Sequence, residues 1–494
     1  MTDERSHGRI VTCGTKETGA NVQCARQTRV RRVRQPRPPL AVPLGGAQVS
    51  RAMLARTITP LHATALVVGI IIGASIFAQP SVITGTVPRV GAVYAVWIVS
   101  GVLTLLGALI AAELASAFPQ AGGVYVFLRE AFSPGIAFLW GWAMFWTMHT
   151  GIIAVIAMVF ARYTAFFIPV GDVGLRVLAV VAIVALTAIN YVGVRFGSLV
   201  QTTLTILKVA AIVAIIAVVF GAGPRQPLAP PSSQASLDFS MSTFAIAVVA
   251  GLFAFGGWHM VTYAAEETHE PERTIPRALV VGVAIVTVCY VALNAAYFHV
   301  LSPSAIAGST RVAADAADAV LGRGGAAFMS AVVAVSTFGA LNGVILSGPR
   351  AYLAMARDRL LVSWAADIHP RFHTPHRAIL LQGVWAVILV STGTYRALFT
   401  RVVYTEWIFF ALMAVGLMRL RRRAAYAPRY RVWGYPLVPV VFIVCSAVVV
   451  INQIVRDPVE SVIGLSFVAI GWPVYAVLAR SSRSSLQSIP RHAD

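Results

Sequence analysis

The chain is dominated by long, uninterrupted runs of apolar residues. Of its 494 residues, 58% are hydrophobic and only 12% are charged, whereas about 25% of the residues in a soluble domain are charged. A run of about 20 apolar residues is long enough to cross the hydrocarbon core of a bilayer as a helix. The runs do not alternate apolar with polar residues, which favours helices over a transmembrane β-barrel.

The apolar runs predict an all-α membrane protein with 12 transmembrane helices. Their boundaries are defined to within a few residues. The predicted spans cover approximately residues 60–86, 91–117, 132–166, 174–194, 197–221, 241–265, 277–301, 325–356, 376–396, 400–420, 434–454 and 460–480.

The formal net charge is +20, a value that at first suggests nucleic-acid binding. The positions of the charges indicate otherwise. The segment up to residue 56 holds 11 Lys or Arg, the loops and C-terminus on the same side hold 18 more, and the opposite side holds about nine. Basic residues accumulate on the cytoplasmic side of membrane proteins, so both termini are predicted to be cytoplasmic and no nucleic-acid partner is expected.

The clearest basic run is RLRRRAAYAPRYR, residues 419–431, which contains six arginines and no acid. It is either a topology anchor or a site for anionic lipid.

Composition divides the chain into three parts. Residues 1–56 are polar and rich in Arg and Pro, and they predict a disordered basic cytoplasmic tail. Met53 opens the stretch that leads into the first span, so it is an alternative translation start. Residues 57–482 form one helical membrane domain, and residues 483–494 form a short cytoplasmic tail.

Motifs for catalysis or metal binding are missing from the sequence. There is no HExxH, nucleophile elbow or P-loop, which argues against a membrane enzyme and an ATP-driven pump. The cysteines form no CxxC pair and have no metal-ligand spacing, so free thiols and no metal site are expected. They are Cys13, Cys24, Cys289 and Cys445.

Glycine clusters interrupt two of the predicted spans: GIIIGASIF (residues 69–77) in the first and GLFAFGG (residues 251–257) in the sixth. Glycine costs about 1 kcal/mol in a helix interior, so the clusters indicate unwinding or close packing through small residues. If spans 1–5 and 6–10 are two repeats, each cluster falls in the first helix of its repeat. Paired interruptions of this kind point to a transporter's binding site, where unpaired peptide groups line a cavity.

GIIIGASIF resembles the G-x-I-I-G-x-G-I-F motif of the amino acid–polyamine–organocation (APC) permeases, close to the L-type amino-acid transporter branch. The likeness covers about residues 58–480. The other matching segments, in chain order, are AAELASAFPQAGGVYVF, NYVGVRFGSLVQTTLTILK, FAFGGWHMVTYAAEETHEPERTIPRA and STFGALNGVILSGPRAYLAMARD. The resemblance implies a LeuT-like 5+5 inverted repeat with broken helices 1 and 6, two further C-terminal helices, and transport by alternating access.

The resemblance also implies a binding site built from backbone. The substrate carboxylate would lie against the N–H groups of Gly73, Ala74 and Ser75. Ser75 stands where the family motif has its third glycine, so its side chain narrows the site or adds a hydroxyl. The carbonyls implied for the substrate's amino group are those of Ile71, Phe253, Ala254 and Gly256. The Phe253 ring would close over bound substrate, or else serves only in packing.

Further side chains are candidates for the cavity. Trp258 and His259 follow the second cluster and are expected to face the cavity, although His259 is alternatively a packing residue. His149 in the third span is a weaker candidate. Glu406, in VVYTEWIFF of the tenth span, is a functional-site candidate if it lies within the membrane, or an interfacial ion pair with Arg401 if it lies near the surface.

Among 39 basic residues only Lys16 and Lys208 are lysines. Lys208 lies near the middle of the fifth span, about 15 Å from either surface at 1.5 Å per residue, too deep for its side chain to reach water. Lysine can lose its proton whereas arginine cannot, so Lys208 is predicted to serve as a titratable coupling group; the alternative is a fixed charge that bridges helices.

By resemblance, Lys208 matches a fifth-span lysine whose ammonium, in some family members, stands where sodium binds in sodium-coupled relatives. This argues for protons or a counter-substrate rather than sodium. Glu113 resembles a family acid at the cytoplasmic end of the second span, for which a structural role is expected.

The predicted function is a secondary active amino-acid transporter of the cytoplasmic membrane, acting by proton-coupled symport or amino-acid exchange. The alternative is a transporter-derived membrane sensor or receptor without net transport. The expected partners are an amino-acid substrate, protons or a counter-substrate, and the lipid bilayer; no cofactor is implied. Some L-type members bind a single-span partner through a cysteine after the third span, but the loop at 168–174 has none, so no covalent heavy-chain partner is expected.

Overall fold

The computed structural model describes residues 53–73, 75–87, 89–221, 240–394 and 401–487. Within these ranges the chain is mainly helical and contains no β-strand, only an isolated bridge between Ile58 and Thr268. Almost all of the predicted N-terminal tail lies outside the described residues, as do 488–494 of the predicted C-terminal tail. Cys289 and Cys445 are free thiols; Cys13 and Cys24 lie outside the described residues.

Eight helices make up the first part of the chain, with a π-helical turn, Met144–Met148, between the fifth and sixth. They are α1 (Pro60–Ile71), α2 (Ser75–Thr86), α3 (Val90–Ala117), α4 (Val124–Ala131), α5 (Pro134–Ala143), α6 (His149–Thr164), α7 (Asp172–Val192) and α8 (Val194–Gly221).

The described residues of the second part contain ten further helices, with a 3-10 helix, Trp258–Glu267, after the first of them. They are α9 (Met241–Ala254), α10 (Pro271–Val300), α11 (Pro303–Gly308), α12 (Val312–Leu321), α13 (Gly325–Ser347), α14 (Pro349–Arg357), α15 (His376–Thr392), α16 (Thr405–Leu420), α17 (Leu437–Arg456) and α18 (Pro458–Gln487). The last helix thus extends past residue 482, the predicted end of the membrane domain.

The described helices support a multi-pass membrane protein. Nine helical segments are long and apolar enough to cross a membrane, and α1 with α2 makes a tenth if the bent pair is one span. The predicted spans at 376–396 and 400–420 correspond to α15 and α16, whose 17 and 16 residues fall short of the roughly 20 that a straight crossing needs. The count of 12 and the inverted repeat therefore remain predictions.

The two interrupted spans begin in the same way. Thr59 caps α1 and accepts a hydrogen bond from the His62 N–H, while the His62 side chain accepts from the Thr59 N–H. Ser240 and Thr243 make the same reciprocal pair at the start of α9. Such capping boxes satisfy N–H groups that a helix start leaves without partners, so both half-helices have well-defined first turns.

Helix α1 lies at the centre of the bundle, where it packs against α8, α10 and α13. At Gly69 an added Cβ would lie 2.1 Å from Gln201 Nε2 and 2.2 Å from Thr205 Oγ1. Glycine fits here because the Gln201 and Thr205 side chains of α8 pack directly against the α1 backbone, so a larger residue would have to displace them. Thr205 also donates a hydrogen bond to the Ala65 carbonyl (3.0 Å), which joins the two helices one turn earlier.

Candidate functional site

Both glycine clusters coincide with helix breaks. Helix α1 ends at Ile71 and α2 begins at Ser75, and the two helices are bent by 45°. Helix α9 ends at Ala254, and the 3-10 helix begins at Trp258. The intervening Ala74, predicted to bind the substrate carboxylate, lies outside the described residues.

The two breaks touch at Gly257. Its φ of +90° lies in the region that favours glycine, and an added Cβ would lie 2.4 Å from Ile70 Cγ2. The sequence therefore places glycine where the second break both reverses its backbone and contacts the last turn of α1.

A cavity opens between the breaks and is bounded on its other side by α6 and α16. The breaks contribute Ile70, Ile71, Gly73, Ser75, Leu252, Phe253, Ala254, Gly256, Gly257 and Trp258. Most of the remaining lining is apolar or aromatic, and the polar side chains among the lining residues are those of Ser75, His149 and Glu406. This is the composition expected of a ligand site in which a few polar groups set orientation.

Some of the backbone groups predicted to bind substrate already have partners. The Gly73 N–H donates to the Ile71 carbonyl (2.8 Å), and the Gly256 N–H donates to the Phe253 carbonyl (3.2 Å). A carbonyl oxygen has two lone pairs, and at Ile71 the second is occupied by the Tyr290 hydroxyl (3.0 Å), so a substrate ammonium would have to displace a donor there. Phe253 is 46% exposed, at the rim of the cavity.

Tyr290, on α10, joins the two breaks. Its hydroxyl lies 3.0 Å from the carbonyl oxygens of both Ile71 and Ala254, which share its single proton as acceptors. Sequence analysis did not identify this residue, because a tyrosine in the middle of an apolar span has no pattern that separates it from a core aromatic.

Replacing Tyr290 with phenylalanine is expected to lower the free energy of unfolding by about 1–3 kcal/mol, because two buried carbonyls lose a donor. Thermal unfolding of the purified protein in detergent measures the effect. Tyr297→Phe is the matched control, since Tyr297 lies on the same helix, is buried, and its hydroxyl has no hydrogen-bond partner among the described residues. Equal effects of the two substitutions would contradict the bridging role.

Lys208 is buried against the first break. Its ammonium donates to the carbonyls of Gly69 (2.9 Å), Ile72 (2.8 Å) and Ser336 (2.8 Å). The single proton of the Ser336 hydroxyl is in turn shared by the carbonyls of Ile72 (3.1 Å) and Gly73 (3.3 Å). Three donors are supplied only by the protonated amine, so in this conformation the charge bridges α1, α8 and α13.

Only some of the side chains that were predicted to face the cavity do so. Trp258, Glu406 and His149 line the cavity, whereas His259 is not among the lining residues and is fully buried. His259 Nε2 lies 3.6 Å from Glu406 Oε1. The expectation that His259 faces the cavity is therefore not met in this conformation; its ring packs among aromatic side chains, namely those of Trp140, Trp258, Tyr263 and Phe410.

The interfacial alternative for Glu406 is wrong. Arg401 pairs with Glu460 on α18, not with Glu406. Trp407 and Phe410, one residue and one turn further along α16, line the same cavity, so Glu406 lies on the helix face that points into the bundle.

A buried ion pair lies at the other end of the 3-10 helix. Arg350 Nε and Nη2 donate to the Glu267 carboxylate at 2.7 and 2.9 Å, and both side chains are almost completely buried. Beside it, Arg357 binds Glu266 in a half-exposed pair. The Glu267 carbonyl accepts hydrogen bonds from the N–H groups of Thr57 and Ile58. These bonds attach the segment before α1 to the end of the 3-10 helix.

Glu113 is buried at the end of α3, where its carboxylate binds Arg421 and accepts from the Val432 N–H (2.6 Å). These contacts hold the segment between α16 and α17 against α3.

The comparisons with known proteins agree with this architecture. Residues 58–478 match the family model described as amino acid permease. The human cystine/glutamate transporter is 30% identical over 438 residues, which cover 86% of this chain and 85% of the relative. The serine/threonine exchanger SteT of Bacillus subtilis (strain 168) is 30% identical over 426 residues, 85% of this chain and 96% of the relative. The human large neutral amino acids transporter small subunit 2 is 31% identical over 447 residues, which cover 88% of this chain and 82% of the relative.

These proteins are membrane transporters rather than enzymes, and the similarity extends over nearly all of the described chain. The resemblance found in the motifs is confirmed: this chain belongs to the amino acid permease family, within the APC transporters.

Proposed function

We propose that this protein is a secondary active amino-acid transporter of the cytoplasmic membrane that works by alternating access, with both termini in the cytoplasm. The observation that carries the proposal is the cavity between two broken helices, lined by backbone from both breaks. Broken helices within a membrane are tolerated where they line a cavity, and there their free peptide groups can bind charged ligand groups.

The substrate's shared backbone would bind the two breaks. Its carboxylate would lie at the N–H groups that start α2, at Gly73, Ala74 and Ser75, where a helix N-terminus favours an anion. Its amino group would bind the carbonyls of the two breaks, those of Ile71, Phe253, Ala254 and Gly256. The Tyr290 hydroxyl already lies at two of these carbonyls, those of Ile71 and Ala254. Because the Ile71 carbonyl also accepts from the Gly73 N–H, an incoming ammonium would displace the phenol there.

Two ionisable groups are proposed for coupling. Lys208 contacts the carbonyls at the end of α1, so a change in its charge would alter the first break directly. Glu406 faces the cavity beside His259, where the Trp258 ring also lies. With a lysine ammonium in place of a bound sodium, we propose proton-coupled symport or amino-acid exchange, without a covalent heavy-chain partner.

The decisive experiment uses purified protein in liposomes, either empty or preloaded with unlabelled amino acids, and screens labelled amino acids under imposed proton or sodium gradients. We expect uptake of at least one amino acid, accelerated by preloading or by an inward proton gradient. Stimulation by sodium alone would reject the coupling proposal, and the absence of uptake for all twenty amino acids would reject transport itself.

Glu406 makes a specific prediction about substrate charge. It is the one carboxylate among the residues that line the cavity, and no Lys or Arg is among them. While Glu406 is ionised, its charge and that of a glutamate side chain repel by several kcal/mol in a site of low dielectric. We therefore expect the protein to discriminate against glutamate relative to neutral amino acids, although one relative is a cystine/glutamate transporter.

Glu406→Gln is expected to raise glutamate uptake relative to neutral uptake at least tenfold, because the substitution removes the repulsion and preserves the shape of the side chain. Competition between labelled neutral substrate and unlabelled glutamate measures the ratio. Glu460→Gln, which removes an acid on the exposed surface, should leave it unchanged. An unaltered ratio in Glu406→Gln would show that the carboxylate does not face bound substrate.

A further inference from the structure

A groove of about 680 Å³ lies at the N-terminal end of α10. The first turns of α10 form one side and contribute Arg273, Arg277 and Val281. The segment between α16 and α17 forms the other side and contributes Arg429 and Trp433. The basic run at 419–431 thus meets a second basic segment, which is about 150 residues away in sequence.

The groove carries more positive than negative charge. Arg429 Nε lies 2.5 Å from Glu272 Oε2, and Arg273 Nη1 lies 3.5 Å from Glu270 Oε2. Arg277 is exposed and has no ionic partner in the described part of the chain. The side chains of Arg273 and Arg429 are still 62% and 64% exposed despite their pairs, so three guanidinium groups remain accessible to an anion.

Other arginines of the basic run make contacts within the protein. Arg421 binds Glu113, Arg423 donates to a backbone carbonyl at 2.8 Å, and Arg419 lies over an aromatic ring. Arg429 differs from them because its groove faces outwards. The run is therefore more than a topology anchor: part of it fastens the segment to the bundle, and part of it is presented at the surface.

An apolar stripe begins at the groove and follows α10. Arg277, Val281, Ala284 and Val288 are spaced by four, three and four residues, which places them on one face of the helix, and all four are exposed. In a membrane this face contacts acyl chains, and Arg277 stands at the end of it.

A second stripe follows α17. Leu437, Val440 and Val444 are exposed on one face of that helix, and the exposed Trp433 lies four residues before its start. Tryptophan is enriched where membrane helices meet the headgroup region. The groove therefore lies at headgroup depth, between two helices whose exposed faces are apolar.

We propose that this groove binds an anionic phospholipid, with the phosphate at the three arginines and the acyl chains along the exposed faces of α10 and α17. Arginine binds phosphate with several parallel hydrogen bonds, and basic residues next to membrane helices attract anionic lipids of the cytoplasmic leaflet. A free anion would use the arginines but gain nothing from the apolar stripes. The site is separate from the cavity, and the proposal does not depend on amino-acid transport.

The test compares two double variants with the same loss of charge. Arg273→Gln with Arg277→Gln alters the groove, whereas Arg371→Gln with Arg422→Gln removes two exposed arginines outside it. Native mass spectrometry of the purified proteins, titrated with phosphatidylglycerol or phosphatidylcholine, counts bound lipid. We expect the natural protein and the control variant each to bind one phosphatidylglycerol tightly. We expect the groove variant to bind it about 30-fold more weakly (about 2 kcal/mol).

A third variant, Trp433→Ala, keeps every charge and is expected to weaken binding severalfold, because it removes the aromatic wall of the groove. Equal phosphatidylglycerol affinity in the two double variants would overturn the proposal, as would equally tight binding of phosphatidylcholine. Displacement of the lipid by inorganic phosphate at equal concentration would also overturn it, since the acyl chains would then contribute nothing.

Discussion

Replacing Lys208 with methionine is expected to abolish amino-acid uptake in proteoliposomes. The substitution keeps an unbranched side chain one heavy atom shorter and removes the ammonium, so the carbonyls of Gly69, Ile72 and Ser336 lose their common donor. A buried acceptor left without a partner costs about 1–3 kcal/mol. The end of α1 is then held to α13 only through the Ser336 hydroxyl, and we expect the first break to lose the geometry that would bind substrate.

The control for this prediction is Lys16→Met, the same substitution at the only other lysine of the chain, which should transport normally. Lys208→Arg addresses the coupling role, because arginine keeps a positive charge but cannot release its proton. If Lys208 titrates during the cycle, Lys208→Arg should lose the pH dependence of uptake. Normal uptake with unchanged pH dependence would show that Lys208 is a fixed charge that bridges helices.

Replacing Arg350 with leucine is expected to lower the free energy of unfolding by about 3–5 kcal/mol. The substitution leaves the Glu267 carboxylate buried without its two guanidinium hydrogen bonds, and an uncompensated buried charge carries a penalty of this size. Thermal unfolding in detergent, monitored by tryptophan fluorescence, measures the loss.

Arg357→Leu is the matched control for Arg350. It breaks the neighbouring pair with Glu266, whose side chains are 38% and 27% exposed, and exposed pairs contribute about 0–1 kcal/mol. A double variant, Arg350→Leu with Glu267→Leu, should recover most of the stability, because it removes both charges together. If Arg350→Leu proves no more destabilising than Arg357→Leu, burial of the pair is not what determines its strength.

The predictions that depend on local sequence agree closely with the described structure. The apolar runs locate the long helices, because a span must be apolar over its whole length to be stable in hydrocarbon. The two glycine clusters coincide with the helix breaks, because glycine lowers helix stability. At Gly69 and Gly257, side chains of neighbouring elements also occupy the space that a Cβ would need. The family resemblance also rests on these local motifs, and the comparisons confirm it.

The side chains around the cavity were harder to predict. His259 and Glu406 are nearly 150 residues apart, and only the packing of α16 against the second break brings them within 3.6 Å. His149 was a weaker candidate than His259, yet His149 lines the cavity, whereas His259 is buried and does not line it. In a span that is apolar on every face, periodicity does not indicate which face points inwards.

By itself the sequence determined the membrane class, the positions of the helices and breaks, and the family, because each depends on residues that are close together along the chain. Only the tertiary structure decided which groups meet: the Tyr290 hydroxyl between the two breaks, the three carbonyls around Lys208, the Glu267–Arg350 pair and the arginine groove between α10 and α17. These contacts join segments from distant parts of the chain. Their formation depends on how the helices rotate and cross, which hydrophobicity alone leaves undetermined.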